Sequence, residues 1–157
     1  MICWRIECFF WKNIVDSINT RTIAMYTKRL IFVDDDDLLI DIVKIITSSL
    51  EETRDLPKYF FNSGDDFLLQ DPSCTKTHEN ILFLDLNMPG MDGWQVLDEL
   101  LKSSKTYSYE KVFILSSSIH PKDKERALIH PLVTDYIEKP LSKSKILYCL
   151  ADIKEKV

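Results

Sequence analysis

Asp34-Asp35, Asp85, Ser116 and Glu138-Lys139-Pro140 each come directly after a short apolar run, respectively Leu30 to Val33, Ile81 to Leu84, Val112 to Leu115 and Tyr136-Ile137. Carboxylates brought together repel, by on the order of 4 kcal/mol for two of them ~4 Å apart at an effective dielectric near 20. Such a group needs a cation. Its oxygen ligands suit Mg²⁺, which takes one or two carboxylates, keeps several waters and accepts further oxygens from a phosphate. Lys139 offers a point charge on a flexible stem for a phosphate oxygen, and the Ser116 hydroxyl offers a hydrogen bond to another. The chemistry these residue types share is phosphoryl transfer. Asp85 is the candidate nucleophile, because the loop that follows it holds Gly90 and Gly93, two of the three glycines in the chain, where backbone can approach closely.

For these groups to meet, the runs before them have to be neighbouring strands. Leu30-Ile31-Phe32-Val33 is β-rich, brief and stopped by acids, as expected of a strand buried on both faces. Leu39, Ile42, Val43, Ile46 and Leu50 then draw one face of a helix. Tyr59-Phe60-Phe61 reads as a second strand, and Asp65 to Gln70 as a short helix closed by Asp71-Pro72. After the polar stretch Ser73 to Asn80, Ile81 to Leu84 is the third strand. Trp94, Val96, Leu97, Leu100 and Leu101 mark the third helix, and Val112 to Leu115 the fourth strand. Pro121 opens a helix to about Ile129, since a missing N–H costs nothing in the first turn. Tyr136-Ile137 lies in the fifth strand, and Ile146, Leu147, Leu150 and Ile153 give the last helix its apolar face. Five strands alternating with five helices predict an α/β fold with a doubly wound parallel sheet, which binds ligands beyond the carboxyl ends of its strands. The polar groups above sit at those ends.

Composition narrows the partners. Twenty Lys and Arg against twenty-five Asp and Glu give a net charge of −5, which argues against a protein that holds nucleic acid by its phosphates. With 45% hydrophobic residues, a chain of 157 residues can bury one core. Cys3, Cys8, Cys74 and Cys149 form no CxxC pair and have no histidine at ligand spacing, so free thiols in a reducing cytoplasm are expected. No stretch approaches the roughly 18 apolar residues of a membrane span. Arg5 and Glu7 interrupt the apolar start that a signal peptide would keep continuous. The expectation is a soluble cytoplasmic protein with no direct nucleic-acid or membrane contact.

Val33-Asp34-Asp35-Asp36, Leu84-Asp85-Leu86-Asn87-Met88-Pro89-Gly90-Met91-Asp92-Gly93, Ile114-Leu115-Ser116-Ser117 and Tyr136-Ile137-Glu138-Lys139-Pro140 together resemble the receiver domain of two-component response regulators. The match covers residues 28–157, and residues 1–27 fall outside it as an extension. The resemblance implies a flavodoxin-like (βα)5 fold with strand order 2-1-3-4-5. It implies that Asp85 takes a phosphoryl group from a sensor histidine kinase or a histidine phosphotransfer protein. Asp35 would ligate Mg²⁺ directly, Asp34 would act through water, and Asn87 would supply its backbone carbonyl. Lys139 would pair with the phosphoryl group, and Lys139-Pro140 would be a cis peptide. Ser116 and Tyr136 would form a switch, in which Ser116 moves toward the phosphoryl group and the Tyr136 ring turns inward. The helix from Pro121, the strand at Tyr136 and the last helix would then present the output face.

Other readings stand beside this one. Read alone, the four aspartates 34–37 could be a solvated helix start, favoured by the macrodipole; Asp85 and Lys139 at neighbouring strand ends favour the site. Asp36 or Asp37 is expected to cap the first helix. Trp94 reads as packing at a helix start, and His78, His120 and His130 as surface-loop residues. A metal-dependent phosphohydrolase with an aspartyl nucleophile would usually carry a second acid two residues on, where this chain has Asn87. A degenerate receiver acting only as a binding module is disfavoured by the intact Asp34, Asp35, Asp85 and Lys139. Ile2, Ile6, Phe10, Ile14 and Ile18 recur every four residues and could form a docking helix; the preferred alternative begins the functional chain at Met25, with the extension poorly ordered. With no effector domain expected after the receiver, output would pass to another, unknown protein or to a second copy in a phosphorylation-dependent homodimer. The protein would not be an enzyme beyond promoting its own phosphorylation and dephosphorylation.

Overall fold

The computed structural model describes residues 27–72, 78–103, 109–117 and 121–151. Along the chain these form β1 (Thr27–Val33), α1 (Asp37–Ser49), α2 (Glu51–Arg54), β2 (Lys58–Phe61), α3 (Gly64–Gln70), β3 (His78–Asp85), α4 (Gly93–Lys102), β4 (Lys111–Ser116), α5 (Pro121–Leu128), β5 (Asp135–Glu138) and α6 (Lys143–Leu150). The five strands pair in parallel in the order β2-β1-β3-β4-β5.

Side chains alternate across the sheet, so each strand serves two cores. Leu30, Phe32, Ile81, Phe83, Phe113 and Leu115 face Ile40 and Val43 of α1 and Ile146 and Cys149 of α6. Ile31, Val33, Leu82, Leu84, Val112 and Ile114 face Phe67 of α3, Val96, Leu97 and Leu100 of α4, and Ala127 of α5. Phe32 stacks on Phe83 at 4.6 Å between centroids, and Phe83 on Phe113 at 5.5 Å, tying β1, β3 and β4 across the first of these faces. Three of the four strands that lead to the candidate site are therefore tied to one another through their side chains.

The helix starts that border the strand ends are fixed by side chains. Asp36 caps α1, accepting from the N–H groups of Leu38 at 3.0 Å and Leu39 at 3.2 Å, as expected of one of the two aspartates there. Asp92 and Gln95 close a capping box on α4 at 2.8 and 2.9 Å. Ser63 caps α3, and Ser142 caps α6.

Two expectations need correction, and one element is added. Ile42 is exposed rather than buried on α1: the inward face is Ile40, Val43 and Thr47, with Leu39 and Ile46 half-buried. Thr47 takes the inner slot because its hydroxyl donates to the Val43 carbonyl at 2.8 Å, which removes the cost of burying it. His78 is not in a loop but begins β3, with Nδ1 3.0 Å from Arg29. The short helix α2 was not foreseen; Thr53 within it is buried and donates to the Thr47 carbonyl at 2.6 Å. The N-terminal extension with its Ile2 to Ile18 pattern, Cys3, Cys8, Cys74, His120 and Ile153 lie outside the described residues.

Candidate functional site

The register of the sheet gathers the site. Val33 of β1 is paired with Leu84 of β3, so Asp34 leaves its strand beside Asp85. Asp85 is paired with Leu115 of β4, and the next residue, Ser116, is paired with Glu138 of β5. One residue further, the Lys139 N–H donates to the Ser116 carbonyl at 2.9 Å. Four strand ends thus deliver their polar groups to one edge.

Asp34, Asp35 and Asp85 can each turn a carboxylate oxygen into a group spanning no more than 4.8 Å. Asp34 and Asp85 are buried, whereas Asp35 is exposed. Lys139 Nζ lies 2.6 Å from Asp34 and 3.2 Å from Asp85 and is itself mostly covered. Burial raises the pKa of Asp34, opposed by the hydrogen bond from Lys139 and by the Asp36 N–H, 3.1 Å from its other oxygen. Burial would lower the Lys139 ammonium, but the two carboxylates outweigh it, and its pKa is raised. Lys139 is held charged between its partners. Against three carboxylates it leaves an excess of two negative charges, which a divalent cation would balance. An all-oxygen set with one member open to water fits Mg²⁺, which keeps part of its hydration shell.

Gly93 explains how Asp85 can lie beside a helix start. A Cβ at Gly93 would collide with the Asp85 carbonyl oxygen and lie 2.9 Å from Leu86 Cα, and the Gly93 N–H donates to the Leu86 carbonyl at 3.1 Å. Gly90 takes a φ of 77°, open to glycine at no steric cost. Asn87 is exposed in this same loop, two residues beyond Asp85. The Lys139-Pro140 bond is cis.

Ser116 is fully buried, and Tyr136 is 6% exposed among Val112, Ile114 and Ala127. Tyr136 is paired with Ile114, so its side chain shares a sheet face with Ser116. The ring is already inward, the position that the switch expected from the sequence would bring it to. Trp94 is half-buried at the start of α4 as expected; the Arg126 guanidinium of α5, 3.8 Å from its ring centroid, was not foreseen. No short-range sequence signal pairs residues so far apart. His130 lies in the turn after α5, a loop as expected, but is half-buried there, its Nδ1 accepting from the Leu132 N–H at 3.3 Å.

The sequence profile of the response regulator receiver domain matches residues 30–151. Protein PilG of Pseudomonas aeruginosa is 38% identical over 72 residues, 45% of this chain and 51% of PilG, so the match spans about half of that relative's length. A two-component response regulator from Cytophaga hutchinsonii has a TM-score of 0.69 at 23% identity, covering 80% of this chain and 95% of that one. A chain of the CheX-CheY-BeF3-Mg²⁺ complex from Borrelia burgdorferi is similar at a TM-score of 0.63 and 21% identity, with coverage of 80% and 87%. The fold, the acidic pocket at its strand ends and the sequence match agree, and the chain belongs to the response regulator receiver domain family, the phosphoryl-accepting module of two-component signalling.

Proposed function

We propose that Asp85 is the phosphoryl acceptor and that the donor is a phosphohistidine on a sensor kinase or a histidine phosphotransfer protein. One observation carries this reading: Lys139 is ion-paired at once to Asp34 and Asp85, with Asp35 open to solvent beside them. An Asp85 oxygen bonds phosphorus as the P–N bond of the donor breaks, and the departing imidazole takes up a proton. The Lys139 ammonium, already 3.2 Å from Asp85, pairs with the phosphoryl oxygens without having to be brought in. Ser116 donates its hydroxyl to another oxygen. The carboxylates of Asp35 and Asp85 and the Asn87 carbonyl would hold Mg²⁺, with Asp34 acting through water; when bound, the ion neutralises charge on the transferring group. The Mg²⁺ in the Borrelia burgdorferi complex supports Mg²⁺ as the ion.

The donor docks on the outer face of α1. Leu38, Ile42 and Ile45, spaced four and three residues apart, form an exposed apolar stripe that begins just past the Asp36 cap. A helical hairpin bearing the phosphohistidine suits a stripe of this shape so near the acids. Movement of Ser116 toward the phosphoryl group holds the inward Tyr136 ring in place and with it one state of the face of α5, β5 and α6, which then gains or loses an output protein or a second copy of the chain. The protein works in the cytoplasm as a stoichiometric acceptor, not as a turnover enzyme. Incubation with a phosphorylated phosphotransfer domain and Mg²⁺ should label the wild type and leave D85N unlabelled. Labelling of D85N at the wild-type rate would refute the reading.

A further inference from the structure

Lys145, in the first turn of α6, is out of place by the ordinary rules of helices. The amino end of a helix carries positive partial charge, yet the first turn of α6 has no acid, and Lys143 and Lys145 both stand in it. The Lys145 ammonium turns away from its own helix. It donates to the Glu138 carbonyl, and to the Pro140 carbonyl at 3.0 Å, so that it brackets the residue between them, Lys139. The Lys139 N–H is held separately by the Ser116 carbonyl at 2.9 Å. Both carbonyls flanking the Lys139 turn are therefore tied to α6 while its side chain reaches Asp34 and Asp85.

We propose that Lys145 is a positioning residue for phosphoryl transfer: it fixes the turn that aims Lys139 at Asp85 and acts only through Lys139. This rests on the assignment of Asp85 and Lys139 made above. Hydrogen bonds from an ammonium are stronger than neutral ones, and displacement of a catalytic group by about 1 Å can cost up to roughly a hundredfold in rate. Lys145 touches neither the acids nor the Ser116 side chain, so Mg²⁺ affinity should be insensitive to it.

The test is a set of variants phosphorylated with phosphoramidate and Mg²⁺. In K145M the phosphorylation rate should fall about tenfold, with Mg²⁺ affinity and the far-ultraviolet spectrum unchanged, and K145R should recover most of the rate. In the K139A background, K145M should cause no further loss, because the two residues act in series. An unchanged rate in K145M overturns the proposal. So does an equal fractional loss in the K139A background, which would show a role independent of Lys139. If K145M fails to fold, the comparison moves to K145Q, which keeps a donor without the charge: a wild-type rate there overturns the proposal, and an intermediate rate supports it. If the wild type itself is not phosphorylated on Asp85, it is the underlying assignment that fails, a result separable from every outcome above.

Discussion

Lys139 separates two buried carboxylates that would otherwise repel, and the space for Asp85 depends on the absence of a side chain at Gly93. Backbone cannot yield to a Cβ as a flexible side chain can, so G93A should destabilise the fold by roughly 2–4 kcal/mol, read as a shift of the urea midpoint. A second prediction concerns His130. Burial lowers its pKa, and Arg126 lowers it further against the opposing pull of Asp98; His78 is lowered by burial and by Arg29. The unfolded imidazole, near 6.5, takes up a proton before the folded one does. Stability complete above that value is therefore lost as pH falls toward the folded pKa. The thermal midpoint should drop from about pH 7.5 to about pH 5.5, and drop less in H130Q; equal slopes would contradict this. The acids and Lys139 were legible in the sequence because each ends an apolar run. The Trp94–Arg126 stack was not, since it joins two helices whose separation along the chain carries no pattern.

At the scale of elements, the strands and five of the helices could be read from period and punctuation, while the facing of α1 could not. Leu38, Leu39, Ile40, Ile42, Val43, Ile45 and Ile46 put apolar groups nearly all round that helix, so periodicity does not choose a face. The face turned inward is that of Ile40, Val43 and Thr47, the last of which can be buried because its hydroxyl donates to the Val43 carbonyl. The consequence is the outward stripe of Leu38, Ile42 and Ile45. If that stripe receives the donor, L38D and I45D should slow transfer from a phosphorylated phosphotransfer domain about tenfold or more, because a charge is then desolvated at the interface. Labelling by phosphoramidate, which needs no docking surface, should be unchanged. Equal slowing with both donors would place the effect in the pocket instead.

For the molecule as a whole, the parallel sheet converts residues scattered from 34 to 139 into one pocket, and the stacked Phe32, Phe83 and Phe113 hold its central strands in register. The order of strands followed from the resemblance of four short stretches rather than from periodicity, which says where strands are but not which are neighbours. The central claim is that this arrangement exists to phosphorylate Asp85. It is tested most directly by treating the protein with phosphoramidate and Mg²⁺, reducing the product with borohydride, which converts an aspartyl phosphate to homoserine, and mapping the altered residue by peptide mass. The account predicts one phosphoryl group per chain in the intact mass, lost when EDTA is present, and homoserine at position 85 alone. Homoserine at Asp34 or Asp35, or a phosphoryl group retained by D85N, would contradict it.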